Sequence, residues 1–331
     1  MSLSCRVTRG DITESIHVAF AVVVDENNKT IFSTGDSQYV TCIRSSLKPF
    51  QAAAVVKSGA IESAGFNDKE LALMCASHKG EKVHVETAMS MLYKLGMRIE
   101  DYECGAHFPS DKITRYSMLE EGKVATSIHN NCSGKHAGML VLGSLMGADP
   151  QGYADLAHPV QQAILGMLEF MTGIDITQFP SGIDGCGAPA LSAPLGNWAR
   201  GFALFAGGGD LPDGRHAACL RLRDGIAAAP HLIAGDRRMC SAVAASLGMN
   251  ITAKIGAEGV YAAAFHDFGL GLMLKARDGN SRAANASLGA VIHAFGYDLP
   301  ETVMSYASPR LQNWAGQDVG TVRVTGALAF S

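Results

Sequence analysis

Arg44-Ser45-Ser46-Leu47-Lys48-Pro49-Phe50-Gln51-Ala52 stands between an extended, β-branched stretch and the apolar run Ala52 to Val56. The change of pattern predicts a strand over Tyr39–Ile43, then a helix closed by Ser58-Gly59. On that helix Ser45 and Lys48 are one turn apart on the same face. A hydroxyl becomes a useful nucleophile when a base takes its proton, and a neutral lysine is such a base. The positive end of a helix dipole disfavours a second positive charge, so a helix start suits a neutral amine. A free lysine titrates near 10.4, so bringing one to about 7 costs roughly 4–5 kcal/mol, which the surrounding fold must supply. The same Ser-x-x-Lys spacing also fits an ordinary helix start with a solvated lysine.

Strand character lies at both ends of the chain. Ile16 to Thr34 reads as a hairpin turning at Asp25-Glu26-Asn27-Asn28, where Asp and Asn favour a turn. Late in the chain, strands are expected over Ile251–Ile255, Gly259–His266, Leu270–Ala276 and Val319–Val324, with a helix over Arg282–Phe295. The middle is helical. Asn67-Asp68-Lys69-Glu70 has the form of a capping box for a helix to about Cys75. Helices are also expected over Lys82–Lys94, Lys135–Leu145, Pro159–Met171, Ala193–Phe205, Arg215–Ala228 and Arg237–Leu247. The expected fold is therefore α/β of the α+β type. One catalytic unit spans 1–331, with its sheet in 1–60 and 250–331 and helices in 61–249.

With 331 residues and 47% hydrophobic content, the chain can bury a large core. A net charge of −4, with no basic stripe among aromatics, argues against nucleic acid as a partner. No apolar stretch reaches a membrane span, and the first residues do not read as a secretory signal. A cytoplasmic location is expected. The eight cysteines are widely spaced, so reduced thiols are expected rather than a disulfide framework.

Four further segments carry chemistry. Ser77 in Cys75-Ala76-Ser77-His78 is either a second hydroxyl in a proton relay or a serine closing a helix. Cys132 and Lys135, three apart on a helix face, and Asp184 and Cys186, two apart on an extended one, gather donors that suit zinc. They also read as buried thiols in glycine-rich turns. His129 and His136 flank the group. Lys254 closes a predicted strand, and Gly256 lets the backbone approach a ligand closely. In Ser-x-x-Lys acyl-transfer enzymes a Lys-x-Gly strand faces the nucleophile helix. Arg44 has the planar fork that suits a substrate carboxylate, and His78 is a second group for that end of the substrate. Asp184 and Glu258 are candidates to pair with the lysines.

Taken in order, these segments resemble the asparaginase II family, of the rhizobial type known as class 3 L-asparaginases. The resemblance runs from Arg9-Gly10 and Glu14-Ser15-Ile16-His17 through the Ser45 segment, Cys75-Ala76-Ser77-His78, Asn131-Cys132-Ser133-Gly134-Lys135-His136 and Asp184-Gly185-Cys186-Gly187 to Lys254-Ile255-Gly256-Ala257-Glu258-Gly259. It implies a fold like serine β-lactamases and penicillin-binding proteins, and hydrolysis of L-asparagine to L-aspartate and ammonia by a homodimer. It also implies Ser45 as nucleophile with Lys48 as base, and Ser77 with Lys254 as a second serine–lysine pair. Cys132, Lys135 and Cys186 would be ligands of Zn2+, with water as the fourth and Asp184 close by. Two other activities fit the residues. One is a serine hydrolase of the same fold acting on glutamine, a small peptide or a β-lactam. The other is an amidohydrolase whose zinc activates water.

Overall fold

A computed structural model describes residues 2–209, 211–212 and 214–325. The chain opens with strands β1 (Leu3–Arg9), β2 (Ile12–Val24), β3 (Thr30–Thr34) and β4 (Val40–Cys42). Helices α1 (Lys48–Lys57), α2 (Ala60–Ala64), α3 (Asp68–Met74), α4 (Lys82–Leu95), α5 (Lys112–Glu120), α6 (Ser133–Met146) and α7 (Pro159–Thr172) follow. Strands β5 (Ser181–Ile183) and β6 (Pro189–Pro194) lead into α8 (Leu195–Phe205), α9 (Arg215–Ala228) and α10 (Met239–Leu247). Then come β7 (Ile251–Ile255), β8 (Val260–Phe265), β9 (Leu270–Ala276), α11 (Ser281–Ala294), α12 (Glu301–Ala307), β10 (Arg310–Gln312) and β11 (Asp318–Thr325). Strands stand at both ends of the chain as expected, and the middle is helical except for β5 and β6. Among the described residues no helix is long and apolar enough to cross a membrane.

The chain divides into two compact units, one of residues 1–46, 193–209 and 253–331, the other of 47–192 and 210–252; residues 326–331, expected within the sheet part, lie outside the described residues. In the first unit the strand order is β10-β11-β1-β2-β9-β8-β7, with β3 also paired to β2. In β1 the alternation Leu3, Cys5, Val7 inward sets the register. The last four residues of β2 and all six of β8 are buried, as expected for central strands covered on both faces. One cover is α8. A β-carbon at Gly271 of β9 would stand 1.9 Å from the Ala199 carbonyl oxygen, so helix and strand touch backbone to backbone there. The other cover is α11, whose Ala283 and Ala286 share a core with Cys5, Val7, Ala276 and Val322. Gly271 and Ala276 are five residues apart on one strand and therefore face opposite sides. Helix α8 thus belongs with the sheet, although its sequence position lies in the helical middle. Its first N–H groups, from Leu195 and Gly196, are taken by the carbonyls of Tyr39 at 3.1 Å and Ser37 at 3.0 Å.

The second unit is a helical cluster around α1, buried along its length from Lys48 to Val56 and packed against α6, α7 and α9. The Asn67–Glu70 capping box forms as expected. Helix α6 lies closest to α3 at Gly134, where a β-carbon would stand 2.3 Å from the Leu73 carbonyl oxygen. That approach sets the start of α6 beside the segment that leaves α3, which carries Ser77.

Candidate active site

In the sheet-containing unit, Ser45 lies in a single 3-10 turn, Arg44–Leu47, which runs directly into α1. Arg44 holds φ at +51°, a left-handed conformation that costs a non-glycine residue about 1–3 kcal/mol and that recurs at functional sites. The turn is fastened to β7. The fully buried Ser46 hydroxyl donates to the Lys254 carbonyl at 2.9 Å, and the Ser46 N–H closes the turn on Ile43 at 3.0 Å. Gly256 makes this possible, since a β-carbon there would stand 2.4 Å from the Ile43 carbonyl oxygen and 3.0 Å from Ser46 Oγ. The close approach expected at Gly256 is thus made by the chain's own backbone. Lys254 is buried and its amine donates to the Ile255 carbonyl at 2.9 Å. Glu258 holds φ at +58°, and its carbonyl accepts from Lys275 at 2.6 Å.

In the helical unit Lys48 is the first residue of α1 and is 1% exposed. Its amine reaches three oxygens: the Ala76 carbonyl, Ser77 Oγ at 3.1 Å and the Asn131 carbonyl at 3.4 Å. An ammonium has three N–H groups and can fill all three acceptors. A neutral amine can donate to the two carbonyls and turn its lone pair toward the Ser77 hydroxyl. The Ser77 N–H donates to the Ile233 carbonyl at 3.1 Å, and the His78 N–H shares the Asn131 carbonyl at 3.3 Å. Both His78 ring nitrogens are committed within the protein. Nδ1 accepts from the Gly80 N–H at 3.1 Å, which leaves Nε2–H to donate to Ser133 Oγ at 2.9 Å. Burial, then the neighbouring His84 and Lys48, keep His78 neutral, well below the usual imidazole range. This geometry makes His78 a brace for the Ser77 and Ser133 segments and leaves it no free polar atom for a substrate carboxylate.

The cysteine–lysine group assembles in the same unit. Cys132 caps α6, Lys135 stands in its first turn, and Cys186 lies in the tight turn between β5 and β6, where Gly187 takes φ of +84°. All three are buried. Lys135 donates to Cys186 Sγ at 2.9 Å. A hydrogen bond from the Cys186 thiol, working against burial and helped by Lys48 and Lys135, holds Cys132 well below the usual thiol range. That bond, with burial, pushes Cys186 up. Burial opposes the Lys135 charge, but the two sulfurs outweigh it and raise its amine. The surroundings therefore favour a thiolate at Cys132 and a charged amine at Lys135, with the Asp184 carboxylate contributing to the same field. Two sulfurs and an amine form a donor set that suits zinc once the protons leave. Among the described residues neither His129 nor His136 clusters with the two sulfurs. His129 Nδ1 accepts from the Thr126 N–H at 3.1 Å, and His136 Nδ1 pairs with the Tyr153 hydroxyl at 2.8 Å.

Ser46 was not among the residues the sequence points to, although it fastens the Ser45 turn. Its only sign was a second serine beside the first. The group Glu81, His84 and His231 was also unmarked, because His231 lies 150 residues beyond Glu81.

Comparison with known proteins agrees with the family expectation. No curated protein sequence matches. Among solved structures, the chain is similar to a candidate beta-lactamase from Bacteroides dorei DSM 17855, at 10% identity and a TM-score of 0.40, covering 88% of this chain and 93% of that one. It is also similar to a beta-lactamase from Mycobacterium bovis, at 12% identity and a TM-score of 0.37, covering 84% and 95%. A family model described as L-asparaginase II matches residues 5–324. That span takes in the Ser45 turn, the Ser77 segment, the cysteine–lysine group and the Lys254 strand, and the chain belongs to the L-asparaginase II family.

Proposed function

We propose that this L-asparaginase cleaves the side-chain amide of L-asparagine through a transient ester on Ser45, with Lys48 as base. The observation that supports this reading best is the Lys48 amine, buried three residues after Ser45 and hydrogen-bonded to Ser77 Oγ at 3.1 Å. In its neutral form Lys48 takes the Ser45 proton as Oγ attacks the amide carbon. The C–N bond then breaks, and ammonia leaves with a proton delivered by Ser77 and, as the second pair, Lys254. Water hydrolyses the β-aspartyl ester with the same groups in reversed roles. Backbone N–H groups of the Ser45 turn and the Lys254 strand would hold the developing oxyanion, and one such donor contributes about 3–4 kcal/mol. Arg44 supplies a cation for the substrate carboxylate.

Cys132, Lys135 and Cys186 would hold Zn2+, with Asp184 beside them. When bound, zinc supplies a fixed positive charge that keeps both sulfurs deprotonated. The adjoining Asn131 carbonyl accepts from both Lys48 and His78, so this group bears on the position of the base and hence on substrate binding. A homodimer and a cytoplasmic location complete the reading, and light scattering on the purified chain tests the first.

The decisive experiment is ammonia release from asparagine, glutamine and a β-lactam by wild type and Ser45→Ala. Asparagine turnover that falls at least about 10³-fold in a folded Ser45→Ala protein is expected. Near-normal turnover rejects Ser45, and a preference for another amide moves the substrate. Activity that disappears with chelation while Ser45→Ala stays active would favour zinc-activated water.

A further inference from the structure

Within the helical unit a second group of metal-binding side chains stands apart from the cysteines. Glu81 is the N-cap residue of α4, His84 lies in the first turn of that helix, and His231 comes from the 3-10 turn Pro230–Ile233. One ligand atom from each lies within 4.8 Å of the others. Glu81 and His84, three apart at a helix start, face the same side. The His231 ring stacks on His84 with centroids 5.6 Å apart, and its Nε2 pairs with a Glu81 oxygen. The other Glu81 oxygen accepts from the Asp236 N–H at 2.8 Å, and Lys79 stands 3.7 Å from it.

His84 is the telling member. It is fully buried, and neither of its ring nitrogens has a hydrogen-bond partner. The His231 carbonyl is near enough to favour a proton there but does not meet hydrogen-bond geometry. A buried polar group left without a partner is costly, and an unmodified core would fill the position with an apolar side chain. An imidazole nitrogen without a proton offers its lone pair to a metal. Space above the group is kept by Gly235, with φ of +99°, where a β-carbon would stand 2.5 Å from Glu81 Oε1 and 3.0 Å from His84 Cε1. The His231 side chain is 45% exposed, which gives an ion a way in from solvent.

We propose that Glu81, His84 and His231 form a second metal site, for a divalent transition ion of the zinc class. Two imidazoles and one carboxylate are a donor set that zinc accepts, with a position left for water. The site would couple to the Ser77 segment. Ile233, two residues beyond His231, accepts the Ser77 N–H, and His84 stacks on His78 at 4.9 Å. An ion would tie the segment from Ser77 to His84 to the Pro230–Ile233 turn, making the three ligands positioning residues for Ser77. The existence of the site does not depend on the catalytic role of Ser77.

The test is metal stoichiometry, with zinc and then cobalt as probes, on four folded proteins: wild type, His231→Gln, Cys132→Ala and the double variant. His231 is partly exposed, so its replacement should leave the fold intact, as circular dichroism will verify. One zinc equivalent retained by Cys132→Ala and lost from the double variant is the expected result, with one equivalent fewer in His231→Gln than in wild type. Cobalt bound to Cys132→Ala should show ligand-field bands without a thiolate charge-transfer band. No binding by Cys132→Ala, stoichiometry unchanged by His231→Gln, or a thiolate band in the cobalt spectrum would each overturn the proposal.

Discussion

Gly256→Ala tests whether the fastening of the Ser45 turn to β7 matters to the reaction. The added β-carbon would stand 2.4 Å from the Ile43 carbonyl oxygen. Carbon and oxygen in contact usually keep about 3.3–3.6 Å, so strand and turn must separate by roughly 1 Å. Overpacking of this kind costs about 1–3 kcal/mol. If the separation also breaks the buried Ser46 bond to the Lys254 carbonyl, the stranded groups add about 1–3 kcal/mol. A total near 2–5 kcal/mol leaves most single domains folded, since their stability is about 5–15 kcal/mol. A displacement of 1 Å at a nucleophile can cost about 10²-fold in rate. Urea unfolding and ammonia release, measured on one preparation, separate the two effects. Ser46→Ala is the control, removing the bond without inserting an atom, and should lose stability by about 1–3 kcal/mol with a smaller loss of kcat. A Gly256→Ala protein with the wild-type unfolding midpoint and kcat within about twofold would refute the argument, because the clash would then be absorbed without moving Ser45.

Three other outcomes are expected. Lys48→Met keeps the buried volume but removes the amine, and kcat should fall by about 10²–10⁴ in a protein with native circular dichroism. Cys132→Ala should lose the zinc proposed for the cysteine–lysine group, by elemental analysis, and raise KM more than it lowers kcat; loss of kcat alone would argue against a binding role. Asp111 caps α5, accepting from the Thr114 N–H at 2.9 Å, with Lys79 at 3.3 Å. Burial works against its charge, but Thr114 and Lys79 outweigh burial and hold the carboxyl below its usual range. Its contribution is therefore complete above the unfolded value of about 3.9 and is lost as pH falls through the lower folded value. Asp111→Ala should cost about 1 kcal/mol at neutral pH and progressively less in acid, as urea midpoints at several pH values would show.

The parts of the fold legible in the sequence were those with strong local chemistry. Asn67 and Glu70 announce a helix start through their own side chains, and the capping box is there. The paired strands β2 and β3 follow from a β-branched run and an Asp-Asn turn. The hairpin β5–β6 escaped notice because its glycines and prolines mimic a loop, and β1 because Ser and Arg interrupt a short apolar alternation. Among the candidate site residues, Ser45 and Lys48 could be named from their spacing, and Ser77 and the two cysteines from the family resemblance. What each touches could not, because those contacts are made between distant parts of the chain. Gly256 shows the difference. Its need for close approach was visible, whereas its partner, the Ile43 carbonyl, lies across a fold that local spacing cannot describe. His78 shows the converse, a plausible polar group whose nitrogens the fold spends on Gly80 and Ser133.

The pairing of β1 with β11, which sets Ser4 opposite Thr325, has a consequence for biogenesis. The strand that covers one side of β1 leaves the ribosome about 320 residues after it. At typical elongation rates of about 5–20 residues per second, that delay is roughly 16–64 s. Throughout it, the nascent chain carries an open β-edge that can recruit another chain, so cellular yield should depend on chaperone protection during translation as much as on the stability of the finished enzyme.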